Sequence, residues 1–359
     1  MRKKGYLKKI GQNIAVALLA LTLIGGILSG CGDKKDSDTN LESPTATVTA
    51  ALEEKATPIP QEKIEISIAA LKGPTAIGMV QVMDSAKKEE TTNQYYFQLA
   101  GAADEITAGI IKGEIQIAAV PCNLASVLYN KTGGQLQVAA INTTSVLYIV
   151  ETGENISSVE DLKGKTIYST GKGTTPEYTL NYLLRAAGLD PQEDVTVEYK
   201  SEAAEVAAIL AESDEAVAML PQPYVTVAMS QNEKLRIALD VAAEWERYAK
   251  DGSSVVTGVV LVNKEFAAEH KDALDAFLEE YEASTQYVTE HIDEAAELVE
   301  GFDIIKAAVA KKAIPYCNIV FLEGEEMKIR IGGYLQALYE QDPASVGGEL
   351  PEEDFYYIK

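Results

Sequence analysis

The chain has 359 residues, 31 of them Lys or Arg and 55 Asp or Glu, giving a formal net charge of −24 at neutral pH. That excess of acid repels phosphate backbones and anionic lipid, which sets nucleic-acid binding aside. The 47% apolar content is that of a globular protein, and the length accommodates two ordinary domains.

The N-terminus points to a compartment. Arg2, Lys3, Lys4, Lys8 and Lys9 form a basic start, and Ile14 to Ile27 is an apolar stretch too short to span a bilayer. It runs into Leu28-Ser29-Gly30-Cys31, which resembles the lipobox of bacterial lipoproteins. That resemblance implies a signal peptide over residues 1–30 and diacylation of the Cys31 thiol; an ordinary signal peptide with an incidental cysteine is the plainer alternative. Residues 31–61 are rich in Asp, Ser, Thr, Pro and Ala and too poor in large apolar groups for a packed core. They read as a disordered tether with a reach of about 30 Å.

From Ile64 onward short β-like runs alternate with helical ones, the pattern of parallel sheets covered by helices. Ile64 to Ala70 reads as a strand, and Leu71-Lys72-Gly73-Pro74-Thr75 leads to a helical segment from Ile77 to Met83. A strand over Tyr95 to Leu99, Gly101, a helix from Asp104 to Lys112 and a strand over Ile115 to Val120 follow, the last ending at Pro121-Cys122-Asn123. Leu136 to Ile141 and Val146 to Glu151 are expected to continue the same sheet, with Asn142-Thr143 in a loop between them.

A second βα series opens after Ser157. Its strand is Thr166 to Ser169, its loop Thr170 to Pro176, and its helix runs from Glu177 towards Gly188. Val195 to Tyr199, a helix over Ala203 to Leu210, Ala216 to Leu220 with Pro221-Gln222-Pro223-Tyr224, and Arg236 to Val241 complete the series. Near Gly252 the chain is expected to cross back, with a strand over Val255 to Val262. The remainder is mostly helical, with Leu274, Phe277, Leu278, Tyr281 and Val288 on one stripe, a helix over Ile304 to Ala313, and a C-terminal strap.

In open α/β sheets ligands bind where strands end and helices begin, because free N–H groups and helix dipoles converge there. The loops of that description hold Lys72 to Thr75, Gly101, Asn123, Thr143, Gly173 to Thr175, Gln222 and Tyr224. The glycines of Thr170 to Pro176 allow close approach and its threonines offer hydroxyls, so it reads as an anion or carbonyl clamp, or else as a plain helix cap. Lys72 either turns into the cleft or is a solvated lysine; the tyrosines are ligand platforms or core. Trp245, the single tryptophan, is read as packing near the return crossing. Cys122 and Cys317 give no metal pattern and are read as two buried thiols or one disulfide. With His270 and His291 the only histidines, both on helical segments, a histidine-based catalytic or metal site lacks its parts.

The lipobox, the tether, the single out-and-back crossing and Asp161-Leu162-Lys163-Gly164-Lys165-Thr166-Ile167 together resemble ABC-transporter substrate-binding lipoproteins. The likeness runs from Ile64 to Asn318 and is to the nitrate, sulfonate and taurine group, which includes binders of thiamine-pyrimidine precursors. It implies an α/β, two-lobed type II periplasmic-binding fold, each lobe a mainly parallel sheet flanked by helices, with a helical C-terminal region. The lobes would be residues 62–155 with 255–359, and residues 156–254. It implies further an extracytoplasmic, monomeric protein held to the membrane by lipid, closing on a small solute and delivering it to an ABC permease with its ATPase. Neither cofactor, metal nor catalysis is expected. The same family would put ligand contacts at Lys72 to Thr75, Gly101, Asn123, Thr143, Gly173 to Thr175 and Gln222. A sulfonate, carboxylate or similar anion is favoured, over a neutral heteroaromatic such as a pyrimidine precursor. No arginine lies in these loops, so an anion would rest on backbone N–H groups, Lys72 and threonine hydroxyls. A solute sensor or an extracytoplasmic enzyme on the same fold are the rival readings.

Overall fold

The computed structural model describes residues 63–359; the signal peptide, Cys31 and the tether expected from the sequence lie outside the described residues. The elements are, in order, β1 (Glu65–Leu71), α1 (Pro74–Ile77), α2 (Val80–Lys87), β2 (Gln94–Ala100), α3 (Asp104–Ile111), β3 (Ile117–Pro121), α4 (Cys122–Lys131), β4 (Leu136–Thr144) and β5 (Leu147–Thr152). There follow β6 (Thr166–Ser169), α5 (Thr175–Ala186), β7 (Thr196–Tyr199), α6 (Ala203–Glu212), β8 (Val217–Pro221), α7 (Tyr224–Gln231), β9 (Leu235–Asp240) and α8 (Val241–Tyr248). The chain ends with β10 (Val256–Asn263), α9 (Lys264–Glu269), α10 (Lys271–Glu290), α11 (Ile292–Gly301), α12 (Ala307–Ala313), β11 (Ile319–Leu322) and α13 (Gly324–Gln341).

Two sheets result. The first has the order β11-β4-β10-β3-β1-β2 and the second β7-β6-β8-β5-β9. In the first, β2, β1 and β3 pair in parallel while β10 runs antiparallel between β3 and β4. In the second, β6 pairs in parallel with β7 and β8, and β5 runs antiparallel between β8 and β9. The α/β class with two helix-flanked sheets is therefore what the chain has, with antiparallel strands set inside sheets whose other strands mostly share one direction.

One expectation is corrected. Val146 to Glu151 does not continue the first sheet: β5 lies in the second, with Leu147 opposite Pro221 and Tyr148 opposite Asp240. Every residue of β5 is buried, so it has no solvated face whose alternation could reveal its neighbours. The chain thus leaves the first sheet between Thr144 and Leu147, a strand earlier than the expected boundary, and re-enters it at β10. Each crossing delivers its strand to an interior position of the other sheet.

Packing follows from side-chain period. Along β1, Ile66, Ile68 and Ala70 join the apolar cluster under α2 and α10, while Ala69 joins the cluster under α4 and α13. Over α10 the positions Leu274, Phe277, Leu278, Tyr281 and Val288, the stripe read from sequence, are buried, and Thr285 joins them. The last helix, α13, buries Ile331, Tyr334, Leu335 and Leu338 and packs on β4 and β10 of the first sheet and on α5, which flanks the second. Tyr334 meets Trp245 edge-on at 5.4 Å, and Trp245 in turn stacks on Tyr182 at 3.8 Å. Trp245 is core, as expected, and its indole N–H donates to Ser253 Oγ at 3.1 Å on the return crossing.

Candidate functional site

The two crossings bring the ends of β4, β5, β8 and β10 together. Val256 lies opposite Thr144 and Gly258 opposite Thr143, with bulges on either side of Gly258. A glycine is required here: a methyl group on Gly258 would stand 2.4 Å from Asn142 Oδ1 and 2.5 Å from Thr75 Cγ2. From the second sheet, the Gln222 N–H donates to the Val146 carbonyl at 2.9 Å, which seats the Pro221–Tyr224 turn against the outgoing crossing.

Buried polar groups are normally paired, since each one left unmade costs roughly 1–3 kcal/mol. Among the described residues, the buried side-chain atoms without a partner are Asn142 Oδ1, Thr143 Oγ1, Gln222 Nε2, Ser254 Oγ and the Tyr281 hydroxyl. The first four lie on or next to the two crossings. Tyr281 comes from α10, and its hydroxyl would stand 3.3 Å from a methyl group on Gly78, behind α1; burial raises its proton affinity, and the Asn142 side chain beside it partly offsets that rise.

The amide orientations are set by the bonds that are made. Gln222 Oε1 accepts from Thr226 Oγ1 at 2.8 Å and from Thr226 N at 3.3 Å, so Nε2 is the free end, a donor. Asn142 Nδ2 donates to the Thr75 carbonyl at 3.4 Å, so Oδ1 is the free end, an acceptor. Thr75 itself is buried and its hydroxyl returns to the Leu71 carbonyl at 2.9 Å. Beside the outgoing crossing, Tyr148 donates to the Tyr316 carbonyl at 2.9 Å and receives Asn318 Nδ2 at 3.2 Å. Burial raises the Tyr148 hydroxyl, with Asp240 adding to it. Asp240 is raised by burial against the Ala242 N–H, which it accepts as the cap of α8.

Several residues singled out from sequence are committed to protein partners. Lys72 is paired with Asp303 at 2.9 Å. Asn123 Nδ2 donates to the Ser345 carbonyl at 3.3 Å, beside Ser126, which donates to Val346 at 2.7 Å; the strap after α13 covers this face of α4. The Gly173 N–H donates to Glu177 at 2.5 Å, and the exposed Thr174 hydroxyl to the Gly171 carbonyl at 2.6 Å. Glu177 in its first turn therefore already supplies a carboxylate to the N-terminus of α5, which Thr175 opens. Tyr178 seals the same loop by donating to Gly173 O, its hydroxyl pushed up to about 12 by burial and by Asp342. Gly73 holds φ 126° before Pro74, the first residue of α1. Gly101 is exposed near Glu105, and Tyr224, first in α7, is 36% exposed. Thr75, Thr143 and Gln222 are brought to the crossings.

Sequence reasoning named Asn142 beside Thr143 but chose only Thr143, and it passed over Ser254, Gly258 and Tyr281. The usable signals were a polar pair closing the apolar run of β4 and a glycine inside the β-branched run of β10. Cys122 and Cys317 are free and buried. Among the described residues no group of three His, Cys, Asp or Glu is placed to hold a metal, and no helix is long and apolar enough to cross a membrane.

Residues 125–295 match the family model described as NMT1/THI5 like. No curated protein matches the sequence. Among solved structures, the chain is similar to an ABC transporter from Parabacteroides distasonis, at 24% identity over 83% of this chain and 100% of that one, with a TM-score of 0.68. It is similar to the periplasmic aliphatic sulphonate binding protein SsuA from Escherichia coli, at 15% identity over 82% and 92% of the two chains, with a TM-score of 0.65. The alkanesulfonate-binding protein SsuA from Xanthomonas axonopodis pv. citri, bound to MOPS, aligns at 14% identity over 81% and 96%, with a TM-score of 0.55. The described chain thus has the fold of these three proteins, and its middle part, residues 125–295, is similar to the NMT1/THI5-like family.

Proposed function

We propose that this protein is the extracytoplasmic solute-binding component of an ABC importer, held to the membrane through Cys31 and its tether, and that it binds rather than transforms its solute. The observation that carries the reading is the set of unpaired buried polar atoms gathered at the crossings between the two sheets. Each sheet with its helices acts as a lobe, and the segments around Ser145 and Ser253 act as the pivot. A solute that satisfies Thr143 from one lobe and Gln222 from the other stabilises the closed form by its contacts with both, and that form delivers it to the permease.

The SsuA neighbours bind sulphonates, which supports a small organic solute. Lys72, expected to hold an anion, is engaged by Asp303, so the site addresses its solute through uncharged hydrogen-bonding groups. This shifts the weight from the anion favoured by the sequence towards the uncharged alternative.

The test is the melting temperature of the purified protein against sulfonates, carboxylates, inorganic anions, pyrimidines and flavins, followed by small-angle scattering with whichever class binds. A solute at 100 times its dissociation constant adds about 2.7 kcal/mol of stability, and the radius of gyration should fall as the lobes close. If protein freed of carried-over solute shows no shift with any class, the binding reading fails.

A further inference from the structure

We infer that α13 is a latch between the two lobes: the helix belongs to the first, and its polar contacts with α5 and α8 hold the second in the arrangement seen here. The inference rests on the two-lobe part of the proposed function and is independent of which solute binds. On the side of the first lobe α13 is held by apolar packing. Met327, Ile331, Leu335 and Leu338 are buried at helical spacing, and the helix packs on β4 and β10. The strap that follows is tied to α4 of the same lobe, where Asn130 Nδ2 donates to the Val346 carbonyl at 3.0 Å and to the Glu349 carbonyl at 2.7 Å. In mid-helix stands Gly332-Gly333, a pair that weakens a helix unless something needs the room. The return crossing needs it: a methyl group on Gly333 would fall 2.4 Å from Ser253 Cβ and 2.8 Å from Asp251 Oδ2.

Towards the second lobe the contacts are of another kind. The Tyr178 hydroxyl stands 2.8 Å from Asp342 Oδ2, Gln341 Nε2 donates to the Tyr178 carbonyl at 2.8 Å, and Arg185 Nη1 donates to Gln341 Oε1 at 3.0 Å. Nearer the start of the helix, Arg330 Nη1 donates to Glu246 Oε1 of α8 at 3.3 Å. Between them the Tyr334 hydroxyl lies 3.3 Å from Thr179 Oγ1, and its ring meets Trp245, which is bonded to Ser253 on the return crossing. When the lobes move, α13 must slip against one of them. Parting the first interface exposes buried Ile and Leu to water, whereas the second is largely polar, Arg185 and Glu246 are exposed, and such bonds are exchanged for bonds to water at small net cost. The second interface is therefore the one that yields. The aromatic contact beside Ser253 is closest to the pivot and moves least, and the polar contacts on either side of it make and break. Contacts made in one arrangement and lost in others favour the first, so they set the apparent affinity for a solute they do not touch.

The test needs no solute. Spin labels at Ser230→Cys on α7 and Lys312→Cys on α12, two exposed positions on helices that meet between the lobes, report the lobe separation of the purified solute-free protein by double electron–electron resonance; Cys122 and Cys317 are buried. Tyr178→Phe, Arg185→Met and Glu246→Gln together remove polar contacts of the latch and keep the bulk of each side chain. The population at other separations should then rise at least about fivefold over the labelled parent, the combined effect of several weak contacts. Lys163→Met, which breaks an exposed pair with Asp194 inside the second lobe, should leave the distribution unchanged. Circular dichroism checks that each variant folds, and if the triple variant does not, Glu246→Gln alone should give a smaller rise in the same direction. A distribution identical to the parent's, an equal change in Lys163→Met, or a parent distribution already broad overturns the latch. None of these outcomes bears on solute binding, which the melting-temperature test decides separately.

Discussion

Lys72 Nζ lies 2.9 Å from Asp303 Oδ2, fastening the first βα loop to the turn behind α11 across 231 positions of sequence. The pairing holds the Asp303 carboxyl below its ordinary value of 3.8. A lowered carboxyl contributes stability above its unfolded value and loses it as pH falls through the folded one, but Asp303 is 97% exposed, where salt screens such pairs to little effect. Lys72→Met should therefore leave solute affinity unchanged to within about twofold, the scale of an exposed pair. Calorimetric titration of the variant at low and high salt checks this, and a tenfold loss would put Lys72 back in the site.

Gln222 and Thr174 make a sharper contrast, because both loops look equally suited to a ligand in sequence. Gln222 is 2% exposed with Nε2 unpaired, whereas the exposed Thr174 already donates to Gly171 O. Gln222→Ala is expected to weaken binding by about 10- to 100-fold, the range for losing one buried hydrogen bond. Thr174→Ala should leave affinity unchanged and cost a little stability through the lost turn. Equal losses in the two variants would count against the assignment of the site to the crossings.

Gly258→Ala probes the same region through sterics. Its new methyl group would fall 2.4 Å from Asn142 Oδ1, 2.5 Å from Thr75 Cγ2 and 3.3 Å from Thr143 Cβ, and all three neighbours are buried. Overpacking of that kind costs about 1–3 kcal/mol. Urea unfolding should show a lower midpoint with an unchanged slope, together with weaker solute binding because Asn142 must turn aside. A variant of unchanged stability would mean that β4 and β10 separate readily at this point.

What was legible in the sequence were the elements with a distinctive period. The α10 stripe from Leu274 to Val288 and the strand after Val255 stand close to where they were expected, because amphipathic helices and β-branched runs announce themselves locally. The sheet to which β5 belongs was not legible, since a strand buried throughout has no polar face to orient it. The site was legible in part for a different reason. Position at a strand end marks a loop as available, but whether its groups are free depends on distant partners. Asp303 for Lys72 and Ser345 for Asn123 come from parts of the chain more than two hundred residues away. Nothing local distinguishes Gln222, whose nitrogen is free, from Asn123, whose nitrogen is taken.

The two thiols give an alkaline test of burial. Burial pushes Cys317 from its ordinary 9.0 up to about 12 and raises Cys122 as well. A group whose proton is held more tightly in the folded state contributes stability that is full below its unfolded value and is lost as pH rises towards the folded one. Stability should therefore be level below pH 9 on this account and decline between 9 and about 12, with Cys317→Ala flattening part of that decline relative to the unmodified protein. Near pH 8 the thiolate fraction of the native protein stays low, and reactivity follows the thiolate. Ellman's reagent at pH 8 should leave both cysteines untouched in the native protein and label both once urea unfolds it. Rapid labelling of the native protein would show that α4 or the turn before β11 opens, and would contradict the burial of Cys122 and Cys317.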